Sequence, residues 1–205
     1  MMAENGIIPK NEAEKIIKAL RQIEKEIESG KFPFREEYED IHLNIEKRLI
    51  EKIGEVGGKI HTGRSRNDQI ALDMRLYLRR EISEIIELLE LVSERLVDLA
   101  EKNFGTVLPL YTHLQRGQPV LLSHQLLALY EMLGRDRERY IDCFGRVNVM
   151  PLGAGAGAGT TFPIDRQHTA SLLGFPKVTR NSIDTVSDRD FIIEFISVSA
   201  NLMMH

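Results

Sequence analysis

Ser65–Asn103 reads SRNDQIALDMRLYLRREISEIIELLELVSERLVDLAEKN. Ser65 followed three residues later by Asp68 is a variant of the capping box, in which both side chains satisfy open N–H groups of a first helical turn. A helix is predicted to start there. Ile70, Met74, Leu78, Ile82, Ile85, Leu89, Val92, Leu96 and Leu99 then recur at steps of four and three. At 1.5 Å per residue, a helix reaching about Asn103 would be roughly 57 Å long. Leu76, Ile86, Leu88, Leu91 and Val97 widen the apolar stripe, which implies neighbours on more than one side.

Upstream, Glu12–Ser29 places Ile16, Ile17, Leu20, Ile23 and Ile27 on one helical face, and Gly30 is the residue type that most easily ends a helix. After a short loop around Phe32–Tyr38, Asp40 is placed to cap a second helix carrying Ile41, Ile45, Leu49 and Ile53, stopped at Gly54. Downstream, Pro109 and the polar stretch Tyr111–Gln118 break the pattern. A second long helix is predicted from about Pro119 to Val147, with Leu122, Leu126, Leu129, Leu133, Tyr140 and Phe144 on one face. Then come the alternating Gly-Ala run Gly153–Gly159, a short helix that Asp165 can cap, and a final helix from about Ser187, still apolar where the sequence stops. No run shows period-two alternation bounded by hairpin turns. The expected fold class is all-α: a small N-terminal helical unit over residues 1–64, then part of a long-helix bundle over 65–205 that looks cut within an element.

The 205 residues are 42% hydrophobic and 28% charged, which is the composition of a globular chain. A formal net charge of −4 lacks the basic excess of a nucleic-acid binder, so none is expected as a partner. The one cysteine, Cys143, has no disulfide partner and reads as a small packing residue. Met1–Glu12 has neither an apolar signal core nor an arginine-rich presequence, and no stretch reaches the roughly 18 apolar residues of a membrane span. No membrane association is expected, and the cytoplasm is the default compartment.

Chemistry concentrates in two loop-to-helix segments, His61–Arg75 and Tyr111–Pro119. Gly63–Gln69 sets two arginines, a serine, an asparagine and a glutamine at the mouth of the longest helix. Free N–H groups and the helix dipole attract anions there, so it reads as a carboxylate or phosphate site. An ordinary capped start with solvated arginines accounts for Ser65 and Asp68, but not for so dense a set of planar donors. In Tyr111–Pro119, Thr112 is a donor for an oxyanion, and His113 is the side-chain type poised to exchange protons near neutral pH. A lone loop histidine is more often a hydrogen-bonding residue than a catalyst. The Gly-Ala run lacks a Gly-Lys-Ser/Thr ending and a preceding strand, so nucleotide binding is not expected; close backbone approach beside a ligand or between helices is. Within Asp40–Asn44, His42 fits either a surface helical turn or a second substrate contact. No histidine or carboxylate set has zinc geometry, and no cofactor is called for.

At these residues the sequence resembles the argininosuccinate lyase family of the fumarase/aspartase superfamily. Asp40–Asn44, Gly57–Gln69, Tyr111–Gln115, Gln118-Pro119, Pro151–Gly155, Gly159–Arg166, Asn181–Asp184 and Ser187–Asp190 match that family's blocks in order, across nearly the whole chain. The resemblance implies cleavage of argininosuccinate to arginine and fumarate, in arginine biosynthesis, by removal of a carbon-bound proton and expulsion of the guanidino nitrogen. It implies that His113 does acid/base work and that Ser65, Asn67 and Thr112 bind the succinate end. Arg66 and His42 would lie along the substrate, with Asp40 and Gln69 beside them.

The resemblance further implies a homotetramer whose active sites draw segments from three subunits. The family's third signature, a flexible Gly-Ser-Ser loop, belongs downstream of Asp190. The chain by itself is therefore expected to be inactive, and to expose apolar surface. Alternatives within the same resemblance are a non-enzymatic crystallin-like relative, or a sister lyase acting on adenylosuccinate, fumarate or aspartate. Thr112-His113 together with His61–Asn67 favours argininosuccinate.

Overall fold

The computed structural model describes residues 1–205 and divides into two units, each built from separated stretches of chain: Met1–Leu72 with Met150–Ser187, and Asp73–Val149 with Asp188–His205.

In the first unit, α1 (Lys10–Glu28) and α2 (Ile41–Ile53) are followed by a 3-10 segment, Gly54–His61. Gly30 closes α1 by donating to the Ile27 carbonyl while Lys31 N–H reaches back to Glu26 O at 2.8 Å, the pairing of a Schellman turn. Asp40 caps α2, its Oδ1 accepting from Leu43 N at 2.7 Å. The apolar faces meet in a core of Ile8, Ile16, Ala19, Ile23, Phe32 and Leu49, flanked by Ile45, Ile53, Val56 and Ile60. Ile17 stays half exposed, so the stripe that packs is centred on Ile16 and Ile23. Glu26 of α1 joins the two helices through Arg48 (2.9 Å) and Lys52 (2.7 Å) of α2. α5 (Arg166–Leu172), capped by Asp165 Oδ1 on His168 N, and α6 (Ser182–Ser187) belong to the same unit.

α3 runs Arg66–Lys102, within one residue of the expected bounds; its first two turns count with the first unit and the remainder with the second. In the second unit it is joined by α4 (Leu122–Val147) and α7 (Asp190–Leu202). Their core is Leu78, Ile82 and Leu89 of α3, Tyr140, Cys143 and Val147 of α4, and Phe191 and Val198 of α7. Tyr140 also pairs its hydroxyl with Ser199 Oγ at 3.0 Å. Cys143 is fully buried, and burial pushes its thiol up to about 11. Arg75, only 3% exposed, donates to the Arg146 and Val147 carbonyls, pairs with Asp188 at 2.6 Å and lies over the Phe191 ring at 4.1 Å. It therefore secures the C-terminal end of α4 to the start of α7.

The all-α class holds with one addition. Strands β1 (Val107–Thr112) and β2 (Gln115–Leu121) pair as an antiparallel hairpin, so the expected loop at Tyr111–Gln118 is extended backbone, and α4 begins at Leu122 instead of Pro119. Only Leu108 and Val120, which face each other in register, are partly buried in it. With almost every other side chain exposed, no core imposes the alternation by which strands are read. Pro109 opposite Pro119 further removes ladder donors. No helix is long and apolar enough to cross a membrane.

Candidate functional site

In the first unit, the mouth of α3 is capped from both directions. Ser65 Oγ accepts from Asn67 N at 3.2 Å, and Asp68 Oδ1 accepts from Ser65 N at 2.9 Å. Asp68 is completely buried, and its second oxygen accepts from Gly153 N (3.0 Å) and Gly155 N (2.9 Å). The Gly-Ala run thus forms a nest of N–H groups around a carboxylate of its own chain. Arg166 completes this corner by donating to the carbonyls of Pro151, Leu152 and Thr179 and to Thr179 Oγ1. Asp68 faces inward, whereas Asn67 beside it is exposed and its side-chain amide makes no hydrogen bond within the chain.

Next to this turn, Arg66 Nε lies 2.9 Å from Asp40 Oδ2, its Nη1 donates to Gln69 Oε1 at 2.5 Å, and its Nη2 is 3.8 Å from Glu46 Oε2. Glu46 in turn meets His61 Nδ1 at 3.0 Å, and Gln69 Nε2 meets His42 Nδ1 at 3.1 Å. His42, Glu46, Arg66 and Gln69 line a cavity of about 160 Å³ with Leu20, Ile45, Ile60 and Arg64. Asp40 serves two ends at once, because Oδ1 caps α2 while Oδ2 takes Arg66.

In the second unit, Thr112 and His113 sit at the tip of the hairpin. Thr112 pairs with Gln115, leaving His113 and Leu114 as a two-residue turn with φ of 50° and 59°. Two consecutive positive φ values belong to the type I′ turn, normally the province of Asn and Gly. Both side chains project into solvent, with Leu114 94% exposed.

A family profile described as "Lyase" matches residues 1–205. The chain belongs to the lyase family. It is 58% identical over its full length to the argininosuccinate lyase of Geobacter metallireducens, of which it covers 45%. It is 57% identical to that of Symbiobacterium thermophilum, of which it covers 44%. Among solved structures, EDDS lyase in complex with formate matches 98% of the chain and 39% of its own, with a TM-score of 0.87 and 35% identity. A fumarate lyase from Mesorhizobium sp. BNC1, 23% identical at a TM-score of 0.75, shares the fold. The chain spans less than half the length of these curated relatives.

The structure of this lyase-family chain brings Asp40, His42, Arg66 and Gln69 into one hydrogen-bonded group, with Ser65 and Asn67 on the adjoining turn. Thr112 and His113 belong to the second unit. Glu46 and His61 complete the network; His61 entered the sequence reading only within segments such as His61–Asn67, with no role of its own, and Glu46 did not enter it. A signal for Glu46 was present: it follows His42 by four positions on α2, and residues at that spacing share a helical face.

Proposed function

We propose that this chain supplies two parts of the active site of an argininosuccinate lyase, a carbon–nitrogen lyase that forms arginine and fumarate in the cytoplasm for arginine biosynthesis. The His113 turn carries the reading. The two-residue turn holds the His113 side chain out at the hairpin tip, in left-handed backbone that costs an L-residue roughly 1–2 kcal/mol and that Asn or Gly normally supplies, so a histidine at that position supports a role for its side chain. The 58% identity to proteins named argininosuccinate lyase supports this substrate over the sister substrates.

In the proposed elimination a base removes a proton from the carbon beside a succinate carboxylate. The electron pair of that C–H bond forms the C=C bond of fumarate, and the pair of the C–N bond leaves with the guanidino nitrogen. His113 returns a proton to that nitrogen. The base is the serine of the downstream Gly-Ser-Ser loop implied by the family resemblance. Charge that accumulates on the carboxylate has to meet donors already in place. Ser65, the exposed amide of Asn67 and the Thr112 hydroxyl would supply them, helped by the positive end of α3.

The complete enzyme is proposed to be a homotetramer in which subunits contribute different segments to each site. Leu88, Leu91, Val92 and Leu99 of α3, each about half exposed, and Ile193 and Ile196 of α7, more than half exposed, give apolar surface suited to such burial.

The test is His113→Ala in the complete enzyme, followed by fumarate absorbance. A fall in kcat of about 10²–10⁴ with little change in KM is expected for a group acting in the transition state. Unchanged turnover would exclude the acid/base role. A wild-type enzyme that forms no fumarate from argininosuccinate would favour a crystallin-like or sister-lyase reading, and a substrate panel separates those two.

A further inference from the structure

The donors and acceptors around Gln69 can be arranged in only one sense. A guanidinium donates and never accepts, so the Gln69 atom facing Arg66 Nη1 at 2.5 Å is the carbonyl Oε1. The amide nitrogen is thereby turned to His42 Nδ1 at 3.1 Å. An amide nitrogen only donates, so Nδ1 accepts and the imidazole proton resides on Nε2. Arg66 cannot easily release Gln69 by turning away. Its Nε is held 2.9 Å from Asp40 Oδ2 and its Nη2 faces Glu46, while Asp40 is itself fixed by capping α2. Direction is imposed at the carboxylates of α2 and passed through Arg66 and Gln69 to the ring of His42.

We infer that Gln69 is a positioning residue that sets His42 in the Nε2–H tautomer, so that His42 meets a substrate oxygen as a hydrogen-bond donor and not as a proton acceptor. The part concerning substrate rests on the function proposed above; the tautomer rests on the hydrogen bonds alone.

The experiment is a long-range proton–nitrogen spectrum of the 205-residue chain with ¹⁵N-labelled histidine, recorded above neutral pH, with His42→Gln identifying the His42 signals among the six histidines. The wild-type chain is expected to show His42 with Nε2 protonated and Nδ1 bare. Gln69→Glu is expected to reverse the pattern, because a carboxylate accepts both from Arg66 and from an Nδ1–H. An Nδ1–H tautomer, or an average of the two, in the wild-type chain would overturn the inference. So would an unchanged Nε2–H in Gln69→Glu. If Gln69→Glu loses native signal dispersion, Gln69→Met removes the donor without adding charge; averaging of the tautomers is then expected, and a retained Nε2–H would overturn the role of Gln69. None of these readouts needs turnover, so an enzyme without argininosuccinate lyase activity would defeat the proposed function and leave the tautomer result standing.

Discussion

Asp68 Oδ2 accepts the backbone N–H of Gly155 at 2.9 Å across 87 positions of sequence, and this bond ties the mouth of α3 to the Gly-Ala turn. The same carboxylate holds Ser65 N and Gly153 N, so three backbone donors depend on one buried side chain. Asp68→Asn preserves shape but sets an amide donor against a backbone donor. A loss of roughly 3 kcal/mol is expected, as for a buried hydrogen-bonding group left unmatched. Urea unfolding monitored by circular dichroism measures it, and a change below about 0.5 kcal/mol would show that Asp68 does not hold this corner.

Two glycines should respond oppositely to the same substitution. At Gly155 φ is +61°, and an added Cβ would sit 2.5 Å from the Gly159 carbonyl oxygen, so Gly155→Ala forces the turn open and destabilises. Gly134 lies inside α4 with nothing within 4 Å of its Cβ position, and Gly134→Ala is expected to stabilise by up to about 1 kcal/mol. Thermal midpoints of the two variants should fall on opposite sides of the wild-type value.

Acid should loosen the first unit through Glu26. Hydrogen bonds from Arg48 and Lys52 hold its carboxyl down at about 2, from an ordinary value of 4.5. A depressed carboxylate stabilises the fold fully above its unfolded value and loses that contribution as pH falls through the folded one. The window is therefore about pH 4.5 down to 2. Glu26→Gln should flatten the slope of stability against pH in that window, as read from unfolding curves taken at several acid pH values. A slope equal to that of the wild type would show that the pairing is not felt.

The hairpin tip carries strain that glycine would relieve. Leu114, at φ 59° and 94% exposed, gains nothing from packing to offset its left-handed backbone. Leu114→Gly is expected to stabilise the hairpin locally by on the order of 1 kcal/mol, the left-handed penalty less the added freedom of glycine in the unfolded chain. Slower amide exchange in β1 and β2 is the readout. Faster exchange would mean that Leu114 makes a stabilising contact.

The long helices were legible because their signals are local. Ser65 and Asp68 set the start of α3, Asp40 and Asp165 set the starts of α2 and α5, and apolar steps of three and four carried the helices to within a few residues of their ends. The hairpin was not legible, since its exposed strands have no buried face to write a period of two, and its turn uses His113-Leu114 where Asn-Gly would signal it. The helix mouth was readable as a dense set of donors, but the donors' partners were not. That Arg66 is engaged by Asp40, Gln69 and Glu46, and that Asp68 turns inward while Asn67 stays exposed, depends on groups up to 87 positions away.

By itself, then, the sequence determined the helical class, the caps, the apolar faces and the two segments rich in polar chemistry, because propensity, capping and periodicity act over a few neighbouring residues. Only the tertiary structure decided which of those polar groups face one another. Hydrogen-bond direction, burial of Asp68 in a nest of glycine N–H groups and the left-handed turn at His113 arise where distant or extended stretches of chain meet, and no local pattern encodes such meetings.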